Sequence, residues 1–367
     1  MSRTARVAVR LGARSYDVRI GAGACARLPA WLRDAPSRRA FVIWDRALGA
    51  ARRAVVAALR GAGWEVHELP VRAGEPLKDI GAVYPIYGEL LRLGADRHAV
   101  LVAVGGGTVG DAAGFVAATY MRGLAWVSVP TTLVAQVDSG IGGKTGINHA
   151  AGKNLIGAIH QPRLVVCDTE LLATLPAREL VSGFGEVAKI ALTFDPAYLD
   201  ELGARRAEFL AGDRRVLARA IEVAVRWKAR AVSRDEHDRT GVREALNFGH
   251  TFGHGLEAAT RYRTFRHGEA VLWGMRFAIA LSEVRGHLTA ARGAKLDATL
   301  APVPVPPLPR AIAPVFSHMK HDKKARAGKI RFVLLERAGR VALDRGVTAR
   351  DLEAAWSLLR GRVRHAG

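Results

Sequence analysis

The sequence predicts an α/β domain built on a parallel sheet, followed by a mostly α-helical domain. Three observations predict this. Continuous apolar runs alternate with helical stretches through the first half, and a Gly-x-Gly-x-x-Gly turn follows one of these runs directly. Beyond about residue 170 helical periodicities dominate, and strand signals return only at Ile330–Leu335. Runs that are apolar at every position belong to strands buried on both faces, the condition of a parallel sheet covered by helices. The expected domains are residues 1–170 and 171–367.

Ala40–Trp44 (AFVIW) reads as a strand, Arg52–Leu59 as a helix and Val66–Leu69 as a further strand. Ile80–Leu93 has apolar residues at helical spacing. Pro85 is expected in its first turn or at a kink, because proline has no amide to donate. Ala99–Val104 (AVLVAV) and Trp126–Val129 are the next strands, the second ended by Pro130. Helices are expected over Ala177–Ala191, Arg214–Ala231, Gly253–Thr260 and Glu269–Leu288. Ala301–Pro314 holds six prolines and reads as an extended connector.

Composition narrows the function. With 49% hydrophobic and 24% charged residues the chain can bury a core, and its length is a prior for two domains. The formal charge of +21 fits either an anionic partner or arginine scattered over solvated faces. Arg3, Arg6, Arg10 and Arg14 at one end, and Arg360, Arg362 and Arg364 at the other, have no interleaved aromatics. That is not a nucleic-acid groove. Two cysteines, Cys25 and Cys167, give neither a disulfide framework nor a Cys-rich metal site, and fit a reducing compartment. The N-terminus lacks the apolar core of a signal peptide, and no segment reaches the ~18 apolar residues of a membrane span. A soluble, cytoplasmic chain with no membrane partner is expected.

Gly105, Gly107 and Gly110 form the glycine turn, directly after the run ending at Val104. Glycines there let backbone amides approach a pyrophosphate at a helix N-terminus. The usual acid about 20 residues further on is missing, so a tight structural turn explains the motif equally well. Ser139–Thr145 (SGIGGKT) is no ATPase loop, since Asp138 stands where that motif needs glycine. Lys144 and Lys153 are nonetheless placed to meet anions. Glu186 and Lys189 are three apart on one expected helix, and His250 and His254 four apart on another, so each pair shares a face. With His267 they make a metal or anion site, but the absence of H-E-x-x-H disfavours a metalloprotease.

Taken together, several segments resemble the 3-dehydroquinate synthase family. They are Gly105–Gly123, Val129–Asn148, Gly152–Pro162, Ser182–Leu192, Leu246–Ala258, His267–Val271 and His321–Lys324. The resemblance implies a Rossmann-like N-terminal domain and a helical C-terminal one. It implies NAD and Zn2+ (or Co2+) as cofactors, with Glu186, His250 and His267 as metal ligands. NAD contacts fall on Asp45, Glu75, Lys78, Gly105, Gly106, Gly107, Asp111, Thr131 and Thr132, with Lys144 and Lys153 beside them. Substrate and catalytic positions fall on Lys144, Asn154, Lys189, Lys228, Arg243, Asn247, His254 and Lys324, with Asp138 and Arg122 in the same segments. Arg122 would reach a phosphate across the interface of a homodimer. The implied reaction takes 3-deoxy-D-arabino-heptulosonate 7-phosphate to 3-dehydroquinate by oxidation, phosphate elimination, re-reduction and aldol closure. One departure stands out: Val232–Val242 holds one residue more than the common family spacing. The rivals are a cyclase for sedoheptulose 7-phosphate, an aminodehydroquinate synthase, a metal-dependent polyol dehydrogenase, and a basic nucleic-acid-binding protein that has lost catalysis.

Overall fold

The computed structural model describes residues 4–320 and 331–365. The chain divides into two compact units, Met1–Leu175 with Arg214–His237, and Pro176–Asp213 with Asp238–Gly367.

The first unit begins with β1 (Ala5–Val9), β2 (Tyr16–Gly21), the short α1 (Leu28–Trp31) and β3 (Arg39–Asp45). It continues with α2 (Gly49–Gly61), β4 (Glu65–Val71), α3 (Ile80–Arg92), β5 (Val100–Gly105), α4 (Gly107–Thr119) and β6 (Ala125–Pro130). A hairpin, β7 (Lys144–His149) and β8 (Gly152–Ile159), precedes β9 (Leu164–Asp168). The main sheet has the order β1-β2-β9-β6-β5-β3-β4. Neighbours are parallel throughout except β1 against β2. Every residue of β5 and β9 is buried, as the unbroken apolar run of β5 requires. Phe41, Ile43, Leu101 and Ala103 face one way, packing with Leu90 of α3 and Val116 of α4. Ala40, Val42, Val100 and Val102 face the other, packing with Val55 and Leu59 of α2. The sheet is therefore doubly wound. After β3 the chain goes to one edge for β4 and returns on the other side for β5, so winding reverses between β3 and β5.

Pro85 lies inside α3 rather than in its first turn; the helix runs through it. The sequence reading did not anticipate β1, β2, β9 or the hairpin. Four central residues of β8 are exposed. Gly146 and Gly157 bring the backbones so close that a Cβ on Gly157 would lie 2.2 Å from the Thr145 carbonyl oxygen. A strand built on glycine contact and exposed side chains carries little apolar periodicity.

The second unit opens with α5 (Ala177–Phe194), α6 (Pro196–Ala204) and α7 (Arg206–Leu210). The chain then returns to the first unit for α8 (Arg214–Arg234). There the Arg10 amide donates to Ser233 Oγ at 2.9 Å, and Arg14 pairs with Glu236 at 2.6 Å. Texture along the sequence does not announce this return. The second unit resumes with α9 (His250–Ala259), α10 (His267–Val284), α11 (Ala290–Leu300) and α12 (Ala313–Lys320). An antiparallel ribbon, β10 (Phe332–Arg337) and β11 (Arg340–Asp344), and α13 (Ala349–His365) complete it. Fifteen residues of α10 are buried, so it is a central helix, apolar on nearly all sides. Phe252 and Phe277 stack at 4.4 Å inside a core that includes Leu256, Trp273, Leu334 and Leu359. The proline-rich segment has no regular structure before α12, and Pro314 occupies the first turn of that helix, where a missing amide donor matters least. Among the described residues no helix is long and apolar enough to cross a membrane.

One buried ion pair ties α10 to α11. Arg276 Nε and Nη2 donate to the two oxygens of Asp297 at 2.8 and 3.0 Å, with both residues at most 5% exposed. Removing one partner leaves an unpaired buried charge. Asp297→Ala is expected to lower stability by about 3–5 kcal/mol in chemical denaturation; an unchanged midpoint would contradict this packing.

Candidate functional site

In the first unit the site residues gather at the carboxyl ends of the parallel strands, where winding reverses. Asp45 ends β3, Gly105 ends β5 and Pro130 ends β6, and Gly105 and Pro130 are register partners. Doubly wound sheets bind ligands at such a place. The Thr131 amide donates to the Gly105 carbonyl at 3.0 Å, which sets the Gly-Gly-Gly and Pro-Thr-Thr turns side by side. The glycines are required by space. A Cβ would lie 2.6 Å from the Val109 side chain at Gly105, 3.1 Å from Thr132 Cγ2 at Gly106 and 2.9 Å from Ser139 Oγ at Gly107. The N-terminus of α4, at Gly106, has no side-chain cap, and Ser139 Oγ is buried with no hydrogen-bond partner among the described residues. An open backbone, an uncapped helix start and an orphaned hydroxyl fit a dinucleotide's pyrophosphate. Asp45 stands at the end of β3, two strands before the glycine turn in the chain and next to β5 in the sheet.

A polar network continues from this turn. Buried Lys78 donates to Asp111 Oδ2 at 2.6 Å and also bonds Asn154 Oδ1. Lys153 pairs with Glu75 at 2.9 Å, and Asn148 Nδ2 donates to Glu75 at 2.9 Å. The Gly74 amide donates to Thr108 Oγ1 at 3.1 Å, tying the Glu75 loop to the start of α4. Burial works to raise the Glu75 carboxyl, but Lys153 and Asn148 hold it below the usual carboxylate range. At Asp111 burial prevails over Lys78 and the carboxyl is raised. Thr108 and Asn148 were missed from the sequence; both lie in matching segments, but neither hydroxyl nor amide marks a site alone.

A π-helix, Ala135–Ser139, carries Asp138, which accepts from Lys228 Nζ of α8 at 2.5 Å. Lys228 is 6% exposed. The segment Val232–Val242, which holds the extra residue, begins in the last turn of α8, one turn beyond Lys228. Lys144 is exposed at the start of β7. Arg122 is exposed in the turn after α4, where it and Met121 are both left-handed (φ 67° and 47°).

The second unit brings Glu186, His250 and His267 together. Glu186 Oε1 lies 3.3 Å from His267 Nε2 and 3.7 Å from His250 Nε2. The candidate ligand atoms are all within 4.8 Å of one another. One carboxylate and two imidazoles are a zinc donor set that leaves a position open. Both rings are turned the same way. His250 Nδ1 meets the Phe248 carbonyl at 3.3 Å, and His267 Nδ1 lies 3.4 Å from both oxygens of Glu257. Burial works against a charge on His267, but hydrogen bonds to Glu186 and Glu257 push its pKa up to about 10. Lys189 Nζ donates to the other oxygen of Glu186, and both residues are 1% exposed. The His254 ring lies 5.3 Å from that of His250 and 5.9 Å from that of His267. Buried Arg243 and half-buried Asn247 precede α9. Lys324 lies outside the described residues.

Glycines beside the ligands explain the convergence. A Cβ on Gly185 would lie 2.3 Å from the Gly268 carbonyl oxygen, and one on Gly268 would lie 1.8 Å from that of Ser182. A Cβ on Gly274 would lie 1.9 Å from the Gly249 carbonyl oxygen. Helices α5, α9 and α10 thus touch backbone to backbone next to Glu186, His250 and His267. Such contact is possible only where no side chain stands between the two backbones.

The family model for the 3-dehydroquinate synthase N-terminal domain matches residues 68–182, and that for the C-terminal domain matches residues 183–325. The 3-dehydroquinate synthase of Rhodospirillum rubrum is 43% identical over 348 residues, 92% of this chain and 90% of that protein. That of Geobacter metallireducens is 43% identical, covering 94% of this chain and 96% of its own. Among solved structures, 2-deoxy-scyllo-inosose synthase complexed with carbaglucose-6-phosphate, NAD+ and Co2+ gives a TM-score of 0.85 at 25% identity, over 98% of this chain and 100% of that one. The 2-epi-5-epi-valiolone synthase of Streptomyces hygroscopicus subsp. jinggangensis 5008, with NAD+ and Zn2+ bound, gives 0.82 at 28% identity over 99% of each.

Two substitutions test this geometry. Gly268→Ala is expected to lose divalent-ion binding and about 1–3 kcal/mol or more of stability, since its Cβ would overlap backbone. Gly88→Ala, on the exposed side of α3 with nothing within 4 Å, is the control, expected to gain about 0.5–1 kcal/mol. Equal behaviour of the two would remove the close-contact argument. His250→Ala is expected to abolish stoichiometric metal binding; a variant that keeps one tightly bound ion would show that the donor set is misassigned.

Proposed function

Because the chain belongs to the 3-dehydroquinate synthase family, we propose that it converts 3-deoxy-D-arabino-heptulosonate 7-phosphate to 3-dehydroquinate and phosphate, a step toward aromatic amino acids. The observation that carries this reading is the convergence of Glu186, His250 and His267, with Lys189 bonded to that carboxylate. We assign the glycine and threonine turns of the first unit, with Asp45, Glu75, Lys78, Asp111 and Lys153, to NAD, and the three converging groups to Zn2+ or Co2+. When bound, NAD supplies reversible hydride transfer and the ion supplies Lewis acidity.

The chain's own residues supply charge and position. The substrate carries a carboxylate and a phosphate. Lys144, Lys228, Arg122, Asn154, Lys189, Arg243 and Asn247 are groups suited to hold these anions, with Lys324 as a further cation. A neutral sugar needs fewer cations. Lys228 is held by Asp138 and Lys189 by Glu186, so their ammonium groups are aimed before substrate arrives, which lowers the entropic part of the barrier. His254, one turn beyond His250, is the group we assign to proton transfer at the phosphate-leaving side. The reading places the enzyme in the cytoplasm as a homodimer, with exposed Arg122 presented to the neighbouring subunit's substrate.

The test follows phosphate release by metal-loaded protein with NAD. The heptulosonate phosphate should be turned over, sedoheptulose 7-phosphate should not, and NADH should not accumulate. The reverse preference would reassign the enzyme to another cyclase, and stoichiometric NADH release would make it a dehydrogenase.

A further inference from the structure

Helix α9 carries three groups on one face: His250, His254 one turn on, and Glu257 one further turn beyond. Glu257 is 9% exposed and belongs to none of the roles assigned above. Its two oxygens lie at equal distance, 3.4 Å, from His267 Nδ1. The opposite nitrogen of that ring, Nε2, is the one that faces Glu186. His250 repeats the pattern, with Nε2 toward Glu186 and Nδ1 on the Phe248 carbonyl. Each imidazole therefore has one nitrogen committed to an outer acceptor and the other aimed at the common point. For His250 that acceptor is a backbone carbonyl, and for His267 it is a carboxylate.

We infer that Glu257 is a positioning residue for the metal centre, accepting a hydrogen bond from His267 Nδ1–H and so presenting His267 Nε2 to the divalent ion. The bond keeps a proton on Nδ1, so that the proton a divalent ion displaces is the one on Nε2. A carboxylate acceptor also makes the ring a stronger donor to a cation than a carbonyl does. His267 opens α10, where its ring is about one-third exposed; it has less packing to fix it than His250, whose side chain is 9% exposed. An outer partner therefore matters more there. The same helix α9 then supplies one ligand, His250, and the orienting group of another. His254, Glu257 and His267 could also be grouped around an ion of their own, but His267 would then be shared between two cations through its two nitrogens, a reading the experiment separates.

The inference rests on Glu186, His250 and His267 being ligands, and the test keeps the two apart. Metal-free wild type, Glu257→Gln, Glu257→Asp and Glu257→Ala are titrated with Co2+, followed by calorimetry and by the visible absorption of the bound ion. Wild type should bind one Co2+. Glu257→Gln, which keeps the shape but offers a neutral acceptor, should bind one Co2+ about tenfold more weakly, and Glu257→Ala up to about a hundredfold. Glu257→Asp should fall between Gln and wild type. The Co2+ absorption band should shift in Gln and Ala, a signature that a merely structural loss would not produce. If Ala does not fold, Gln still decides the matter. Equal Co2+ affinity and spectrum in wild type and Glu257→Gln would overturn the inference. So would two ions in wild type falling to one in the variant, which would make Glu257 a ligand itself. Absence of stoichiometric Co2+ in wild type would instead overturn the ligand assignment on which the inference stands.

Discussion

Backbone contact between helices at glycine is the constraint on which the rest of the second unit depends. Ordinary side chains keep helix axes 8–10 Å apart, and glycine removes the side chain that sets that spacing. Here Gly185 faces Gly268, and Gly249 faces Gly274, with no room for a Cβ at any of the four. Each candidate ligand is chain-adjacent to one of these contacts. The same feature that permits close approach thus places Glu186, His250 and His267 where their donor atoms converge. It also denies them alternatives, because a helix seated on another's backbone cannot slide without collision.

The first unit solves a different problem by different means. Its glycines stand where a Cβ would meet Val109, Thr132 or Ser139, and its polar side chains are fixed by one another. Lys78 is shared by Asp111 and Asn154, and Glu75 by Lys153 and Asn148. Lys228 and Lys189 are likewise each bonded to a carboxylate. Groups held in this way lose little freedom when a ligand arrives.

Much of this was legible in the sequence because it is local. The unbroken run Ala99–Val104 and the glycines after it gave a buried strand and its turn. The i, i+3 and i, i+4 spacings gave the shared faces of Glu186 with Lys189 and of His250 with His254. Long-range features were not legible from pattern alone. That His267 joins Glu186 and His250 was a grouping by residue type, which the resemblance made specific as a ligand set, since no periodicity links residues on three helices. Asp45, at the end of β3, lies where the usual fingerprint does not look, two strands before the glycine turn in the chain, because the sheet winds in a different order. The β7–β8 hairpin escaped notice because glycine contact, not apolar alternation, holds it. Glu257 is seven residues from His250 and three from His254, a spacing visible in the sequence, yet its acceptor role depends on where His267 points.

The return of α8 to the first unit has a consequence for how the chain is made. A ribosome releases the sheet strands first, and β9 is complete well before Lys228 exists. The strip along β1 and β2 that Arg214–Arg234 covers, and Arg14, whose partner Glu236 follows that helix, must therefore wait while the first three helices of the other unit are synthesised. Vectorial synthesis cannot finish the domains one after the other, and a fragment cut after Leu175 would carry a raw apolar seam together with an Asp138 deprived of its lysine.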